Sequence, residues 1–307
     1  MAFTAKDVQA LREKTGCGMM DCKKALVECD GNMDAAADYL REKGLASQAK
    51  KASRIAAEGA VCALYENGVG VVVELNAETD FVAGGDDFKA LTERVARVAA
   101  AQNPADLDAL LKCTDNGQTV EEMVQELFLK VRENIQVRRF ARFEGAVTTY
   151  VHAGGKIGVM VKFDTDMDAT NEEFVAMGKS VAMQIAAMNP SYLDEASVPA
   201  EVIAKEKEIL IAQMKEDPKM ANKPDMVLGK IVEGKIGKYY KENCLVEQQF
   251  VMDGDVTVGK YVENTAKALG ANIKIADFVR FERGEGIEKR QDNFAEEIAA
   301  QMAAIGK

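Results

Sequence analysis

Histidine is almost missing from this chain of 307 residues, which carries His152 alone. With one imidazole, a zinc finger or a His-rich catalytic zinc site is hard to assemble. A Ser-His-Asp or Cys-His mechanism would have to run through that single side chain, and no Gly-x-Ser-x-Gly elbow accompanies it. The six cysteines (Cys17, Cys22, Cys29, Cys62, Cys113 and Cys244) include no Cys-x-x-Cys pair and read as reduced, structural thiols. The start, Met1-Ala-Phe-Thr-Ala-Lys6, lacks the basic and apolar stretches of a secretory signal. No apolar run approaches the roughly 18 residues that cross a bilayer. The expectation is a cytoplasmic protein with no membrane contact. Proline is scarce at 5 residues, while hydrophobic residues reach 48%, so neither a collagen-like fibre nor wholesale disorder fits. Basic residues (39) fall short of acidic ones (50), a formal charge of −11. Such a surface repels phosphate backbones, and direct nucleic-acid binding is not expected. Counting does not exclude an enzyme that relies on carboxylates alone.

Patterning divides the chain into five stretches. Residues 1–55 read as an N-terminal three-helix bundle and linker. Thr4 and Asp7 make a capping-box variant ahead of Val8 and Leu11, and Gly16-Cys-Gly18 breaks that helix. A second helix runs from Met19 to Cys29, and a third from Met33 to Lys43, ending at Gly44. Residues 56–136 form a first core repeat with a helical extension. Val61, Ala63 and Tyr65 alternate, Asn67-Gly68 signals a hairpin, Val69 to Leu75 is a strand, and Phe88 to Gln102 is a helix. Residues 137–196 repeat that order. Glu58-Gly-Ala-Val61 recurs as Glu144-Gly-Ala-Val147, Gly70-Val-Val-Val73 as Gly158-Val-Met-Val161, and Phe88–Pro104 aligns without gaps on Phe174–Pro190. Residues 197–243 predict an antiparallel helical hairpin projecting from the body. Residues 244–307 return to the core with a helix near Val256–Leu269, a strand at Ile273–Glu282 and a terminal helix from Asp292. The class is α+β, with antiparallel sheets built from hairpins rather than βαβ crossovers.

Nucleotide motifs fail on inspection. Gly178-Lys179-Ser180 lacks the earlier glycine of a phosphate loop, since Glu173 stands there, and it falls inside a repeat helix. Gly68-Val-Gly70 lacks the third glycine and the following helix of a dinucleotide fingerprint. Lys50-Lys51…Arg54 reads as a solvated linker. Arg138-Arg139…Arg142 opens a strand whose arginines could face solvent or a protein partner. The informative segment is the loop Asn76-Ala-Glu-Thr-Asp-Phe-Val-Ala-Gly-Gly-Asp-Asp87, which carries Phe81 and Val82 beside carboxylates. Phe81 either tucks against its own sheet or serves as an aromatic anchor for another protein. Met19-Met20 offers the same choice: one must pack the bundle, while the pair could leave an adaptable contact outside.

Several stretches together resemble the elongation factor Ts family, the nucleotide-exchange partners of the translational GTPase elongation factor Tu. They are Leu11-Arg-Glu-Lys-Thr-Gly-Cys-Gly-Met-Met-Asp-Cys-Lys-Lys-Ala-Leu26, Glu78-Thr-Asp-Phe-Val-Ala83, Asn134-Ile…Arg138-Arg139, Tyr150-Val-His152…Ile157-Gly158-Val, Phe250-Val-Met252 and Phe281-Glu…Gly284-Glu-Gly286-Ile-Glu-Lys289. The resemblance spans essentially the full length. It implies a bundle like a ubiquitin-associated domain, a duplicated α+β core and a protruding helical hairpin. By the same resemblance, Met19 and Met20 touch the GTPase domain, and Thr79, Asp80, Phe81 and Val82 enter near the partner's magnesium site and dislodge the ion. His152 and Ile157 would contact a more distal partner domain, and Phe294–Met302 would return to the GTPase domain. The implied activity is release of GDP from elongation factor Tu, with no cofactor, metal or covalent chemistry in this chain. The alternative is a non-catalytic partner-binding or chaperone-like protein; a small-molecule enzyme would instead need carboxylates converging in a pocket. This sequence departs from the family at Gly84-Gly85, where relatives commonly carry a charged residue, so the loop is expected to be looser. The helical segment after Pro104 is longer than in many relatives. Thr165-Asp166-Met167 stands at the same spacing before the second repeat helix, as a remnant or a coincidence.

Overall fold

Three helices open the chain: α1 (Ala5–Thr15), α2 (Met19–Glu28) and α3 (Met33–Lys51). The computed structural model describes residues 3–216 and 223–288. Asp7 Oδ2 accepts hydrogen bonds from the Thr4 backbone N–H (2.7 Å) and hydroxyl (2.8 Å), so the capping pair works as its spacing suggests. Gly16, at φ +67°, ends α1. The bundle closes on Leu11, Cys17, Cys22, Ala25, Leu26 and Leu40, and its core includes Phe128 and Leu129 from the first repeat. One expectation is corrected here: α3 does not stop at Gly44 but continues to Lys51. Gly44 is a packing contact instead. A Cβ there would meet Leu129 Cδ2 at 2.2 Å, so the missing side chain lets α3 lie against the repeat.

The first repeat follows as β1 (Glu58–Glu66), β2 (Val69–Ala77), α4 (Asp80–Ala83), α5 (Asp86–Gln102), α6 (Leu107–Lys112), β3 (Thr114–Asp115), β4 (Gln118–Thr119), α7 (Val120–Val131) and β5 (Gln136–Glu144). Asn67 (φ +52°) and Gly68 (φ +78°) make the two-residue turn between β1 and β2. The second repeat has β6 (Ala146–His152), β7 (Ile157–Thr165), α8 (Glu172–Met188), α9 (Ala200–Glu216), α10 (Asp225–Asn243), β8 (Gln249–Phe250), β9 (Asp253–Thr257), α11 (Val258–Leu269) and β10 (Ile273–Glu282). Two three-stranded antiparallel sheets result, ordered β1-β2-β5 and β10-β7-β6.

The duplication reaches further than a hairpin and a helix. Both α7 and α11 run 12 residues behind a threonine cap, Thr119 and Thr257, and both end at a left-handed residue, Arg132 (φ +62°) and Gly270 (φ +64°). The strands that follow match without gaps: Asn134, Ile135, Phe140, Arg142, Phe143 and Glu144 recur as Asn272, Ile273, Phe278, Arg280, Phe281 and Glu282. Even the bulge is copied, at Arg138 on β5 and at Ala276 on β10. Each copy is therefore a hairpin, a helix, an insert, a capped helix and a returning third strand.

The two sheets stack on Val61, Val72, Val147 and Met160. A Cβ on Gly70 would sit 2.4 Å from Val147 Cγ1, and one on Gly158 would sit 2.3 Å from Val61 Cγ1. These matched glycines let the sheets approach. The outer faces are covered by α5, through Phe88, Val95 and Ala99, and by α8, through Phe174, Val181 and Ile185. Gly178 of the failed phosphate motif is another close approach: its Cβ would lie 2.4 Å from Thr148 on β6. α9 and α10 form the expected hairpin over their own seam of Leu210, Met214, Val232 and Ile236. At its foot, Ser191 and Tyr192 N–H donate to the Asn243 carbonyl (2.9 and 3.0 Å). The terminal helix expected from Asp292 lies outside the described residues.

Candidate partner-binding surface

The segment read as a loop between β2 and α5 is a built turn. Thr79 caps the short helix α4, its Oγ1 accepting from Val82 N–H at 3.3 Å. Gly84 and Gly85 take ordinary conformations, φ −76° and −71°, and their N–H groups donate to Asp80 O (2.8 Å) and Val82 O (3.0 Å). Ala83 and Val82 face the first-repeat core. Phe81 points the other way and is 87% exposed, beside an exposed Asp80. The tucked reading of Phe81 is thus set aside: the aromatic is presented to solvent on a turn whose apolar neighbours are satisfied.

Met19 and Met20 open α2 and are 51% and 74% exposed. The expectation that one of them packs the bundle is corrected, because Cys17, Cys22 and Leu26 fill that space. His152 is exposed at the end of β6, with Nδ1 2.9 Å from the Tyr150 hydroxyl. Ile157, its cross-strand partner, is 8% exposed and belongs to the second-repeat core. At this end the second repeat exposes Val151 and His152 together with Ala153, Gly154 and Lys156 of the turn.

Sequence reasoning missed the joint that ties these segments together, at the passage from α7 into β5. Arg132 pairs with Asp21, next to Met20, at 2.7 Å. Glu133 accepts from the Thr79 N–H (3.0 Å) and hydroxyl (2.8 Å). The Asn134 N–H donates to Glu78 Oε1 (2.7 Å), and its side-chain amide donates to the carbonyls of Ala52 (3.3 Å) and Arg54 (2.8 Å). Three consecutive residues therefore hold the methionine end of α2, the Phe81 turn and the linker below the bundle. Nothing periodic marks such a joint in a sequence.

The arginines at the start of β5 are also relocated. Arg138 and Arg139 do not wait for a partner but grip Glu74, a fully buried carboxylate, at 3.0 and 2.6 Å. The Asn76 side-chain amide (3.1 Å) and the Gly284 N–H (2.8 Å) also donate to Glu74 Oε1, and Arg138 reaches the Glu285 carbonyl. Arg142 pairs with Glu144 at 2.6 Å. Charge buried this way needs its partners, so these residues close the molecule.

Comparison with known proteins agrees with the layout. Residues 78–285 match the family model described as Elongation factor TS. Elongation factor Ts of Syntrophotalea carbinolica is 48% identical over 305 residues, 98% of this chain and 99% of that protein. That of Clostridium acetobutylicum is 46% identical over 307 residues, 98% of each chain. That of Clostridium perfringens is 48% identical over 303 residues, 97% of this chain and 98% of its own. With the match running from the bundle through the Phe81 turn and both copies of the duplicated core, the chain belongs to the elongation factor Ts family.

Proposed function

We propose that this protein is a guanine-nucleotide exchange factor that binds elongation factor Tu in its GDP form and speeds GDP release by disturbing the magnesium and phosphate site. The observation that carries the reading is Phe81, 87% exposed on a capped turn and braced from below rather than packed. Exposing a large aromatic without covering it forgoes about 1.5–3 kcal/mol of burial, which a partner can supply. In this reading the Thr79–Val82 turn enters beside the ion through Thr79, Asp80 and Phe81 while Val82 seats it on the first-repeat core, Met19 and Met20 rest on the GTPase domain, and His152 meets a more distal domain. Ile157 acts there only by supporting β7, because its side chain is buried.

The action makes and breaks no covalent bond. A factor that binds the partner better once the ion and phosphate donors are displaced weakens the nucleotide, and by linkage the nucleotide weakens the factor equally. The setting is cytoplasmic translation elongation. Release of fluorescent GDP from purified elongation factor Tu, with and without this chain, tests the proposal. Accelerated release that rises with chain concentration supports it. Binding to the partner without acceleration would mean a passive or chaperone-like protein, and turnover of a small molecule with no partner present would mean an enzyme.

A further inference from the structure

The two copies of the duplicated unit handle the link between second strand and helix differently. In the second copy, Asp166 Oδ1 accepts the Asn272 N–H at 2.9 Å and Oδ2 accepts its side-chain amide at 3.2 Å. In the first copy, Glu78 Oε1 accepts the Asn134 N–H at 2.7 Å. The register that matches Gly70 to Gly158 also matches Glu78 to Asp166, and the register that matches Thr119 to Thr257 also matches Asn134 to Asn272. The anchor is the same in both copies. The likeness of Thr165-Asp166-Met167 to Thr79-Asp80-Phe81 is therefore shifted by two positions, since Asp166 does the work of Glu78.

Beyond that anchor the copies diverge. Ten positions lead from Glu78 to Phe88, but eight lead from Asp166 to Phe174. The shorter link keeps Met167 packed against its own core. The longer one emerges as α4 with Phe81 outside. A lengthened link with an aromatic at its crest would gain by folding back onto apolar surface unless something holds it out. The holding group is Glu133, whose two oxygens take the N–H and the hydroxyl of Thr79 at 3.0 and 2.8 Å. The matching residue in the second copy is Ala271, which has no side-chain acceptor to offer. The extra length and the bracing carboxylate occur together, in the one copy that presents an aromatic.

We propose that Glu133 is a positioning residue for nucleotide exchange: its two-oxygen grip on Thr79 fixes the turn that presents Phe81, while the adjacent Arg132 ties the same joint to the Met19–Met20 end of α2 through Asp21. This rests on the reading of the Phe81 turn given under the proposed function. In this assignment Glu133 acts through Thr79.

The test uses the full-length chain with Glu133→Ala, Glu133→Gln, Phe81→Ala and the Glu133→Ala/Phe81→Ala double variant. GDP release from elongation factor Tu is followed by stopped flow over a range of chain concentrations, and amide hydrogen exchange is read at Thr79 and Val82. Glu133→Ala is expected to lower the maximal release rate roughly tenfold or more, the worth of a lost charge-assisted hydrogen bond. The half-saturating concentration should stay within about twofold, because the other contact surfaces are unchanged. Thr79 should lose its amide protection, and Glu133→Gln, which keeps one acceptor, should fall between. The double variant should be no slower than Phe81→Ala alone, because Glu133 acts through that side chain. Losses that multiply in the double variant, or a normal release rate with Thr79 deprotected, would overturn the assignment and leave Glu133 a structural residue. A normal rate for Phe81→Ala would instead remove the role of the turn itself, and this inference with it.

Discussion

Replacing Gly158 by alanine tests why a glycine recurs at the same place in both copies. The added Cβ would lie 2.3 Å from Val61 Cγ1 and 3.3 Å from Val72 Cγ1, in a fully buried layer. Carbon atoms rest at about 3.5–4.0 Å, so the overlap with Val61 exceeds an ångström. Val61 cannot swing aside, because a β-branched side chain in a strand has little freedom at χ1. The sheets must separate or the side chain must strain, at about 1–3 kcal/mol. Val61→Ala alone removes two buried methyl groups and should cost about 2 kcal/mol once the cavity is included. In the double variant the new methyl occupies the space that Val61 vacates. The two costs should therefore not add, and the cycle should show a favourable coupling of about 1–2 kcal/mol. Urea unfolding of the four proteins, compared at constant slope, measures it. Additivity within about 0.3 kcal/mol would mean that the sheets relax around Gly158 and that close approach is not why a glycine stands there.

Glu74→Gln should lower stability by about 1.5–3 kcal/mol, since the buried carboxylate loses its charge-assisted bonds to Arg138 and Arg139 while the amide cannot satisfy both; an unchanged urea midpoint would contradict this. Removing residues 1–51 should leave both sheets folded but uncover Phe128 and Leu129, which close the bundle's core; far-UV loss beyond the three deleted helices would show the repeats to be dependent, and binding of an apolar dye should rise. The Glu263 carboxyl is held down at about 2 by hydrogen bonds from Lys267 and Lys260. A depressed carboxylate favours the folded state above its ordinary value of 4.5, and that contribution fades as pH falls toward about 2; the carboxyl resonance should titrate there and move up in 1 M salt, as an exposed cluster is screened on the order of a 3 Å Debye length. Phe81→Ala should leave the melting temperature unchanged and slow GDP release at all magnesium concentrations, whereas Asp80→Ala should slow it mainly when magnesium is abundant; an equal magnesium dependence for both would refute the wedge as the larger effect.

Elements with strong periodicity are legible in the amino-acid order alone: the hairpin at Asn67-Gly68, the amphipathic repeat helices and the α9/α10 hairpin all stand where alternation and breakers put them. The duplication is legible only in part. Its returning strands, β5 and β10, are separated from their hairpins by inserts of very different length, so a local alignment stops at Pro104 and Pro190. Gly44 misleads because a glycine late in a helix signals a cap, whereas here the tertiary contact with Leu129 takes it. Arg138 and Arg139 read as surface charge because the acidic residue they satisfy, Glu74, lies more than 60 positions earlier in an apolar strand. Met19 and Met20 read as half structural because side-chain volume does not say which of several small residues fills a bundle. Phe81 is legible as a choice between two fates. Its resolution depends on a non-local brace at Glu133, which no window around Phe81 contains.

The energy needed for exchange bears on why that brace and the bundle share one joint. Weakening a nucleotide ten-thousandfold takes roughly 5.5 kcal/mol of differential binding. Burying one phenylalanine supplies only about 1.5–3 kcal/mol, so under the proposed function Phe81 would have to act together with other surfaces. Those surfaces sit on separate elements, and every loose one would spend part of its binding energy on being ordered, about 0.5–1.5 kcal/mol for each mobile side chain. The joint removes much of that loss beforehand. Arg132 fixes α2 through Asp21, Glu133 fixes Thr79, and Asn134 fixes Glu78 and the linker carbonyls of Ala52 and Arg54. The methionine end of α2 and the Phe81 turn are thus anchored to consecutive residues of the same segment. Breaking the Asp21–Arg132 pair should then cost more exchange than an exposed ion pair costs stability. Asp21→Ala is expected to change the unfolding midpoint by no more than a surface pair allows, about 0–1 kcal/mol, while lowering affinity for the partner severalfold through α2. Equal affinity for the variant and the parent chain, measured by titration against nucleotide-free partner, would show that the bundle finds its place without the joint.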